Sequence, residues 1–358
     1  MLLDADTLRA QARGCGILGA GGGGSPAMGL LASLRALELH GPTTLVDLDD
    51  LPDDELVLPM GMVGAPTVAV EKISNGGEAR WIVERVEEVT GRKVAALMSS
   101  EIGGANGLFP MEFAGALGLP IVDADGMGRA FPEMPMVSME IAGISPSPCV
   151  MSDERGNVLI VHPADGAWLE RLCRATAVAF GGRAVSSEYL MSVAEARTGA
   201  VRGTVSLAIR IGRALDNAEG DPVEALLREV NGFRLIEGKV VDVDRRVTGG
   251  FTRGSAQIDG LRTDSGRQLR LELQNENLVA LEGERVLATV PDIITVLDTQ
   301  TGDAVSTELL RYGQRVTVIA FPCDPVWRSE GGLRLTSPRA FGYDFDFRPV
   351  EEIHRGRA

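Results

Sequence analysis

The N-terminal part of the chain alternates short apolar runs with longer amphipathic segments. Short apolar runs bounded by turn-forming residues are typical of buried strands, and apolar residues at helical spacing predict helices. The predicted strands are TTLVDL (43–48), ELVLPMGMVG (55–64), KVAALMSS (93–100) and LPIVDADG (119–126). The helices predicted between them cover residues 76–91 and 106–118. Strands separated by helices imply an α/β domain whose mainly parallel sheet is covered on both faces.

Helices are also predicted on both sides of these strands. Residues 4–13 form a short helix that Gly14 ends, and residues 27–40 form a second helix that begins after Pro26. After the strands, helical spacing covers three more segments, at 165–180, from 186 to about 218, and at 221–232.

The pattern changes at Phe233. From there to about residue 350, apolar and polar residues alternate at period two, between turns rich in Gly and Asp. This alternation is typical of half-buried strands in antiparallel sheets. We therefore predict an α/β domain over residues 1–232 and a β-rich barrel or sandwich domain over residues 233–350.

Composition and charge narrow the class of protein. The chain has 358 residues, of which 44% are apolar, so it can bury a large core. Its formal net charge of −15 argues against binding nucleic acid or an anionic membrane. The segment MLLDADTLRA lacks the basic and apolar regions of a signal peptide, and no segment is apolar enough to cross a bilayer, so we expect a cytoplasmic protein.

The cysteines and histidines show no metal-binding spacing. The four cysteines are scattered without a C-x-x-C pair, and the three histidines are equally dispersed. A structural zinc site is therefore not expected. A divalent metal held by carboxylates leaves no such pattern, so that cofactor stays open.

A glycine-rich segment, GCGILGAGGGG (14–24), allows two interpretations. Gly19, Gly21 and Gly24 satisfy G-x-G-x-x-G, and Asp47 follows at the distance of a ribose-binding acid, so a nicotinamide-dependent oxidoreductase is one hypothesis. That motif needs a strand directly before it, and none is predicted there. The favoured interpretation is that successive amides of Gly21, Gly22 and Gly23 form a cradle for a polar ligand at a helix start.

Acidic residues gather in apolar, glycine-rich segments between residues 99 and 140. They are Glu101, Glu112, Asp123, Asp125, Glu133 and Glu140. Glu101 directly follows a predicted strand, where α/β sheets bind ligands. Asp123 and Asp125 end the next strand, and Arg129 adds a positive charge. Such carboxylates are candidates for proton transfer or metal binding, although either aspartate would serve equally well as a turn cap.

A second polar segment, QNEN (274–277), ends a predicted strand of the β-rich domain. A polar run in a strand is usually a solvated face. Glu276 and Asn277 are followed by an apolar run, however, so these side chains could instead project into a domain interface.

Several long motifs together resemble a known family. They are GCGILGAGGGGSP, SSEIGGANG, DADGMGRAFPEMPM, QNENLVAL, ATVPDII and RYGQRVTVIAFPCDPVW with GLRLTSPRAFGYD. In this order, and over residues 8–350, they resemble the S-methyl thiohydantoin desulfurase family. The resemblance implies an α/β domain joined to a β-rich domain. It also implies hydrolysis of an S-methyl thiohydantoin to a hydantoin and methanethiol, and a hydantoinase- or oxoprolinase-like partner.

This reaction assigns expected roles to the candidate residues. Glu101, Asp125 and Asp123 are the predicted catalytic carboxylates. The predicted substrate-binding residues are Gly21, Gly22, Gly23, Asn106, Arg129, Glu276 and Asn277. We expect a small heterocyclic substrate and a homo-oligomer. The alternatives are the nicotinamide-dependent oxidoreductase and a non-catalytic subunit of a hydantoinase-like complex.

Overall fold

The structure is a computed structural model that describes residues 1–64, 68, 71–248 and 251–355. Its strands form two sheets. The strands of the first sheet are β1 (Leu2–Leu3), β2 (Thr43–Val46), β3 (Leu56–Gly64), β4 (Val94–Ser99), β5 (Ile121–Asp125), β6 (Cys149–Ser152), β7 (Val158–Val161), β8 (Arg183–Ser187), β9 (Met191–Ser192) and β10 (Val201–Arg202). Those of the second sheet are β11 (Phe233–Thr248), β12 (Phe251–Gly260), β13 (Gln268–Gln274), β14 (Glu276–Glu282), β15 (Arg285–Thr289), β16 (Ile293–Asp298) and β17 (Arg315–Phe321).

Helices surround the first sheet and close the chain. They are α1 (Ala5–Leu18), α2 (Pro26–His40), α3 (Glu78–Thr90), α4 (Phe109–Leu117), α5 (Ser138–Ile141), α6 (Gly166–Ala179), α7 (Val193–Gly199), α8 (Thr204–Asp216), α9 (Pro222–Val230), α10 (Glu330–Thr336) and α11 (Val350–Ile353). None of the helices in the described part of the chain has the length and apolarity needed to span a bilayer.

The first sheet confirms the predicted α/β class. Its centre has the strand order β2-β5-β4-β3, and these four strands are parallel. The carboxyl ends of β4 and β5 are neighbours, because Ser99 pairs with Asp125. The segments that carry Glu101 and Arg129 therefore leave the sheet side by side. Antiparallel strands extend this centre on both sides, through β1 at one edge and β8, β6 and β7 at the other.

The continuous helix predicted from residue 186 to about 218 is wrong in its first part. The end of β8 and the short strands β9 and β10 interrupt that segment, and only α7 and α8 are helical. All five residues of β8 are buried, and its first four pair with β3. A strand buried on both faces loses the alternation that identifies strands in a sequence, so pairing with β3 decides the conformation.

Helix α1 also differs from its prediction. It begins after the capping residue Asp4, as expected, but continues through Gly14 to Leu18. A Cβ on Gly14 would lie 1.9 Å from the carbonyl oxygen of Ala208, and a Cβ on Gly212 would lie 1.8 Å from that of Ala10. The two glycines therefore allow α1 and α8 to cross in backbone contact. Gly14 serves helix packing and not termination.

The second sheet confirms the predicted β-rich part. Its strands are all antiparallel, in the order β15-β14-β13-β12-β11-β17-β16. The sheet curls, so that Asn277 on β14 donates a hydrogen bond of 3.0 Å to the carbonyl of Ile294 on β16. The first strand of this sheet begins at Phe233, where the pattern in the sequence changes.

Direct hydrogen bonds join the second sheet and the segment after it to the N-terminal part of the chain. The hydroxyl of Thr295 donates to the carbonyl of Ile17 at the end of α1, at 2.8 Å. The indole of Trp327 donates to the carbonyl of Met127, in the segment after β5, at 2.6 Å. The candidate site lies between these contacts, at the carboxyl edge of the first sheet.

Candidate functional site

Glu101 lies in the turn that follows β4, with its side chain held from β3. The backbone amide of Met62 on β3 donates to Asn106 Oδ1 at 3.1 Å. That contact fixes the amide orientation, so Asn106 Nδ2 donates to Glu101 Oε1. The hydroxyl of Ser99 stabilises the same turn by donating hydrogen bonds to the carbonyls of Glu101 and Asn106. The scaffold therefore fixes Glu101 Oε1 and leaves Oε2 without a hydrogen bond among the described residues.

Burial disfavours the charged form of the Glu101 carboxyl. Its side chain is only 8% exposed. Burial raises the pKa of its carboxyl to about 8, against the lowering effect of the hydrogen bond from Asn106 and of the nearby Phe131 amide. The charge of Asp125 raises this pKa further. A carboxyl in this state can donate a proton at neutral pH.

Asp125 joins the turns that follow β4 and β5. Its carboxylate accepts hydrogen bonds from the amides of Ile102, Met127 and Gly128, at 2.7 to 3.0 Å. Burial nevertheless raises the pKa of Asp125 to about 7. Both oxygens are thus engaged by backbone donors. This arrangement suits a residue that positions Glu101 and the segment 126–129.

The side chain of Asp123 contacts α8. Its carboxylate accepts hydrogen bonds from the amide and the hydroxyl of Ser206, in the first turn of α8. This contact stabilises the start of that helix. The structure therefore does not bring Asp123 to Glu101.

The glycine loop, residues 19–24, lies against the Glu101 turn on one side and β14 on the other. A Cβ on Gly23 would lie 2.3 Å from the carbonyl oxygen of Gly103, and a Cβ on Gly22 would lie 1.9 Å from Glu276 Oε1. The carbonyl of Ala20 accepts hydrogen bonds from the backbone and side-chain amides of Asn277. Glycine at position 22 therefore leaves room for a buried carboxyl.

The loop joins two helices, α1 and α2, so α1 and not a strand lies directly before it. The dinucleotide motif requires that strand. Asp47, the candidate ribose-binding acid, forms an ion pair with Arg202 instead. The amide of Gly22 donates to the carbonyl of Gly19 within the loop, so this donor is already used.

Glu276 and Arg129 complete a buried group of charges around Glu101, which we call the carboxyl cluster (Glu101, Arg129 and Glu276). Glu276 is 2% exposed and Arg129 is fully buried. The guanidinium donates to the carbonyls of Ala130, Pro291 and Asp292, and its Cζ lies 4.4 Å from the centre of the Phe131 ring. Arg129 is thus held by both parts of the chain.

The carboxyl cluster has unused hydrogen-bonding capacity. Four buried atoms at or beside it have no partner among the described residues: Glu101 Oε2, Glu276 Oε2, Arg129 Nη2 and Asn277 Oδ1. Buried polar groups are normally paired, so such atoms are candidates for contact with polar atoms of a ligand or with bound water.

Electrostatic coupling links the members of the carboxyl cluster. Burial raises the pKa of Glu276 well above its usual range, and the charge of Glu101 raises it further, while Arg129 lowers it. Burial lowers the pKa of Arg129 to about 10, and Glu276 provides the largest opposing charge effect. A buried guanidinium requires one compensating anion, and two adjacent carboxylates repel each other. The stable state therefore has one ionised and one protonated carboxyl.

The structure also shows a buried carboxyl that the sequence analysis missed. Glu188 follows β8, is 4% exposed, and accepts a hydrogen bond from Ser100 at 3.3 Å. Burial raises the pKa of Glu188 to about 7. Its SSE motif repeats the one at residues 99–101, which would have identified it. The prediction of a helix over this segment hid that similarity.

Metal binding stays a prediction. Within the described ranges, no group of three or more histidine, cysteine, aspartate or glutamate side chains is arranged to hold a metal ion. Glu112, Glu133 and Glu140, the other acids of the centre, are not part of the carboxyl cluster. Glu140, for example, accepts a hydrogen bond from Tyr189.

The protein thus has two sheets, and the buried carboxyl cluster lies between the turns after β4 and β5 of the first sheet and β14 of the second. Two family models match the chain: the S-Me-THD-like N-terminal domain over residues 6–163 and the S-Me-THD-like C-terminal domain over residues 164–350. The chain therefore belongs to the S-Me-THD-like family, which confirms the suspected resemblance. The models meet at residues 163 and 164, and the predicted division at residue 233 stays a prediction.

A solved structure shares the whole fold. The crystal structure of a protein from Chromobacterium violaceum is 25% identical in sequence and has a TM-score of 0.81. The similarity covers 98% of this chain and 100% of that one. A comparison with curated proteins found no match.

Proposed function

We propose that this protein hydrolyses the C–S bond of an S-methyl thiohydantoin, forming a hydantoin and methanethiol. Membership of the S-Me-THD-like family supports the class of substrate. The observation that carries the chemistry is the carboxyl cluster, in which Glu101, Glu276 and Arg129 each retain a buried atom without a hydrogen bond among the described residues.

The reaction needs one proton donor and one proton acceptor. Water adds to C2 of the ring, the C–SCH₃ bond breaks, and the two protons of water end on the ring nitrogen and on the departing sulfur. A pair of carboxyls that shares one proton supplies both functions.

The contacts distinguish the two carboxyls. Asn106 donates to Glu101 Oε1, so the proton of Glu101 resides on Oε2, from which it is donated to the ring nitrogen. The charge effect of Glu276 on Arg129 exceeds that of Glu101, so the proposal assigns the anionic role to Glu276, which accepts a proton from the attacking water although burial raises its pKa well above the usual range. Glu276 then returns this proton to the sulfur as methanethiol leaves, and the remaining proton of the C2 hydroxyl passes to Glu101 as the ring carbonyl forms, which restores both carboxyls. Arg129 Nη2 and Asn277 Oδ1, which have no hydrogen bond among the described residues, bind polar atoms of the ring in this proposal.

Methanethiol release from a panel of synthetic rings tests this proposal. The panel contains an S-methyl thiohydantoin, the corresponding thiohydantoin without the methyl group, and an acyclic S-methyl isothiourea. We expect methanethiol from the first compound and none from the acyclic compound, since in this proposal Arg129 and Asn277 bind polar atoms of the ring that the acyclic compound lacks. Failure to release methanethiol from any S-methyl ring would contradict the proposed function.

Three predicted properties need separate measurements. A bound divalent metal is tested by elemental analysis of the purified protein, and the homo-oligomer by light scattering. Co-purification tests association with a hydantoinase- or oxoprolinase-like partner. Cytoplasmic location likewise stays a prediction, for which cell fractionation is the direct measurement.

A further inference from the structure

Strand β7 (Val158–Val161) forms an open edge of the first sheet. It is the last strand in the order β8-β6-β7 and pairs only with β6. In an antiparallel pair, every second residue of a strand directs its amide and carbonyl away from the neighbouring strand. Among the described residues, only β6 makes hydrogen bonds to the backbone of β7. The outward amides and carbonyls of this edge can therefore pair with a further strand.

The outer edge of β16, at the end of the second sheet, is covered, unlike that of β7. Residues 303–305 cover it, since the amide of Val305 donates to the carbonyl of Val296 at 2.8 Å. Open edges are usually protected by a charged side chain, a proline or a bulge. Strand β7 has the sequence VLIV and pairs with β6 without a bulge, so it has none of these protections. Such an edge favours pairing with a strand of another chain.

Apolar side chains beside the edge extend this surface. Val161 packs in the same hydrophobic cluster as Leu169 and Cys173 of α6. Side chains two positions apart in a strand share a face, so Leu159 lies on the α6 face as well. Leu159 is 42% exposed, and Trp168 in the first turn of α6 is 48% exposed. Half-exposed apolar side chains next to an open strand edge are typical of a protein contact surface.

The charges on the two sides of β7 indicate which chain fits this surface. Arg155 precedes the strand, and its side chain is 78% exposed. Its neighbour Glu154 lies 3.5 Å away and is closer to Lys72, at 3.0 Å, so Arg155 can accept a further partner. Asp165 follows the strand and is exposed. Antiparallel pairing of two copies places the beginning of one strand beside the end of the other, so Arg155 of each copy approaches Asp165 of the other.

We propose that β7 is the contact surface between two copies of this chain, which pair antiparallel about a two-fold axis and join their first sheets into one continuous sheet. The formal net charge of −15 disfavours contact between acidic faces of two copies. Strand β7 has no charged residue, and the charges that flank it are complementary in this pairing. The inference goes beyond the proposed function, because β7 contributes no residue to the carboxyl cluster.

Sedimentation velocity of the full chain between about 1 and about 100 µM tests the proposal. We expect a dimer at the upper end of this range. Leu159→Lys brings two ammonium groups to the two-fold axis, so the dissociation constant should rise at least about tenfold. Leu309→Lys is the matched control. It adds the same charge at a leucine that is 67% exposed and lies between β16 and β17, so the dimer should persist.

An exchange of charges tests the direction of pairing. In a dimer of Arg155→Glu, and in a dimer of Asp165→Arg, like charges meet at both ends of the paired strands. A mixed dimer of the two variants has opposite charges at both ends. We therefore expect dimers of each variant alone to be at least about tenfold weaker than those that form in the mixture.

Hydrogen exchange of the wild-type protein needs no variant. The outward amides of Val158–Val161 should exchange more slowly as the protein concentration rises. A monomer at every concentration, a dimer that Leu159→Lys leaves unchanged, no recovery in the mixture, or exchange that is independent of concentration would overturn this surface. Methanethiol release tests the proposed function separately, so failure of one does not imply failure of the other.

Discussion

Glu276 occupies the space that a side chain on Gly22 would need: a Cβ at that position would lie 1.9 Å from Glu276 Oε1. The contact joins the glycine loop after α1 to the first residue of β14, more than 250 positions later in the chain. It explains why the loop is rich in glycine without any dinucleotide. The absent side chain lets a buried carboxyl reach the cluster.

The first prediction concerns Gly22→Ala. The new methyl group must displace the Glu276 carboxyl, so we expect activity to fall by about tenfold or more and stability to fall by about 1–3 kcal/mol. Gly16→Ala is the matched control, because a Cβ there meets its nearest atom at 3.4 Å, which is an ordinary contact. Denaturant unfolding and methanethiol release check both variants. Normal turnover in Gly22→Ala would show that the position of Glu276 is not important.

The second prediction is that Glu101→Gln keeps the fold and loses the reaction. Glutamine preserves the acceptor for Asn106 but cannot donate a proton to the ring, so turnover should fall by about two to four orders of magnitude. Glu276→Gln should have a similar effect through loss of the base. Glu112→Gln is the control: burial also raises the pKa of Glu112, but this residue lies on α4, outside the cluster. Full activity in folded Glu101→Gln would show that Glu101 takes no part in the reaction.

The third prediction is a pH dependence of stability that depends on Glu101. Its pKa is about 8 in the folded protein and close to the usual 4.5 in the unfolded chain. Between these values the folded state binds more protons, so this carboxyl makes stability fall as pH rises from about 4.5 to 8. Glu101→Gln removes that slope, which is at most about 1.4 kcal/mol per pH unit for one proton.

Urea unfolding between pH 5 and pH 8 measures this difference. The variant should gain stability over the wild-type protein as the pH increases. Substitution of the exposed Glu38 by glutamine should leave the slope unchanged. A constant difference between Glu101→Gln and wild type across this range would mean that the carboxyl of Glu101 ionises normally.

The fourth prediction separates Asp125 from Glu101. Asp125 accepts hydrogen bonds from three backbone amides, so the amino group of an asparagine would face donors. Asp125→Asn should therefore lower the free energy of unfolding by about 2–4 kcal/mol. Turnover per folded molecule should fall less than in Glu101→Gln. A stable Asp125→Asn variant with lost turnover would instead support a direct catalytic role.

The two parts of the site differ in how far the sequence predicts them. Glu101 and Arg129 follow neighbouring parallel strands, so strand order and the position of strand ends place them at one edge. The approach of Glu276 depends on how the curled sheet packs against α1 and its loop. No local pattern carries that information.

The missed features have the same cause. Helical spacing suggested a helix where β8 pairs with β3, because tertiary pairing overrides local preference in a fully buried strand. Gly14 appeared to end α1, because a close helix crossing cannot be recognised from one helix alone. Glu188 was overlooked for the first of these reasons.

The most direct test of the central claim follows oxygen from water into the ring. The wild-type protein converts an S-methyl thiohydantoin in H₂¹⁸O, and mass spectrometry measures the hydantoin while methanethiol is quantified in parallel. We predict one ¹⁸O at C2 for each methanethiol released, and almost no product of either kind from Glu101→Gln. Methanethiol without ¹⁸O in the ring, or labelled product at the wild-type rate from Glu101→Gln, would contradict hydrolysis by the carboxyl cluster.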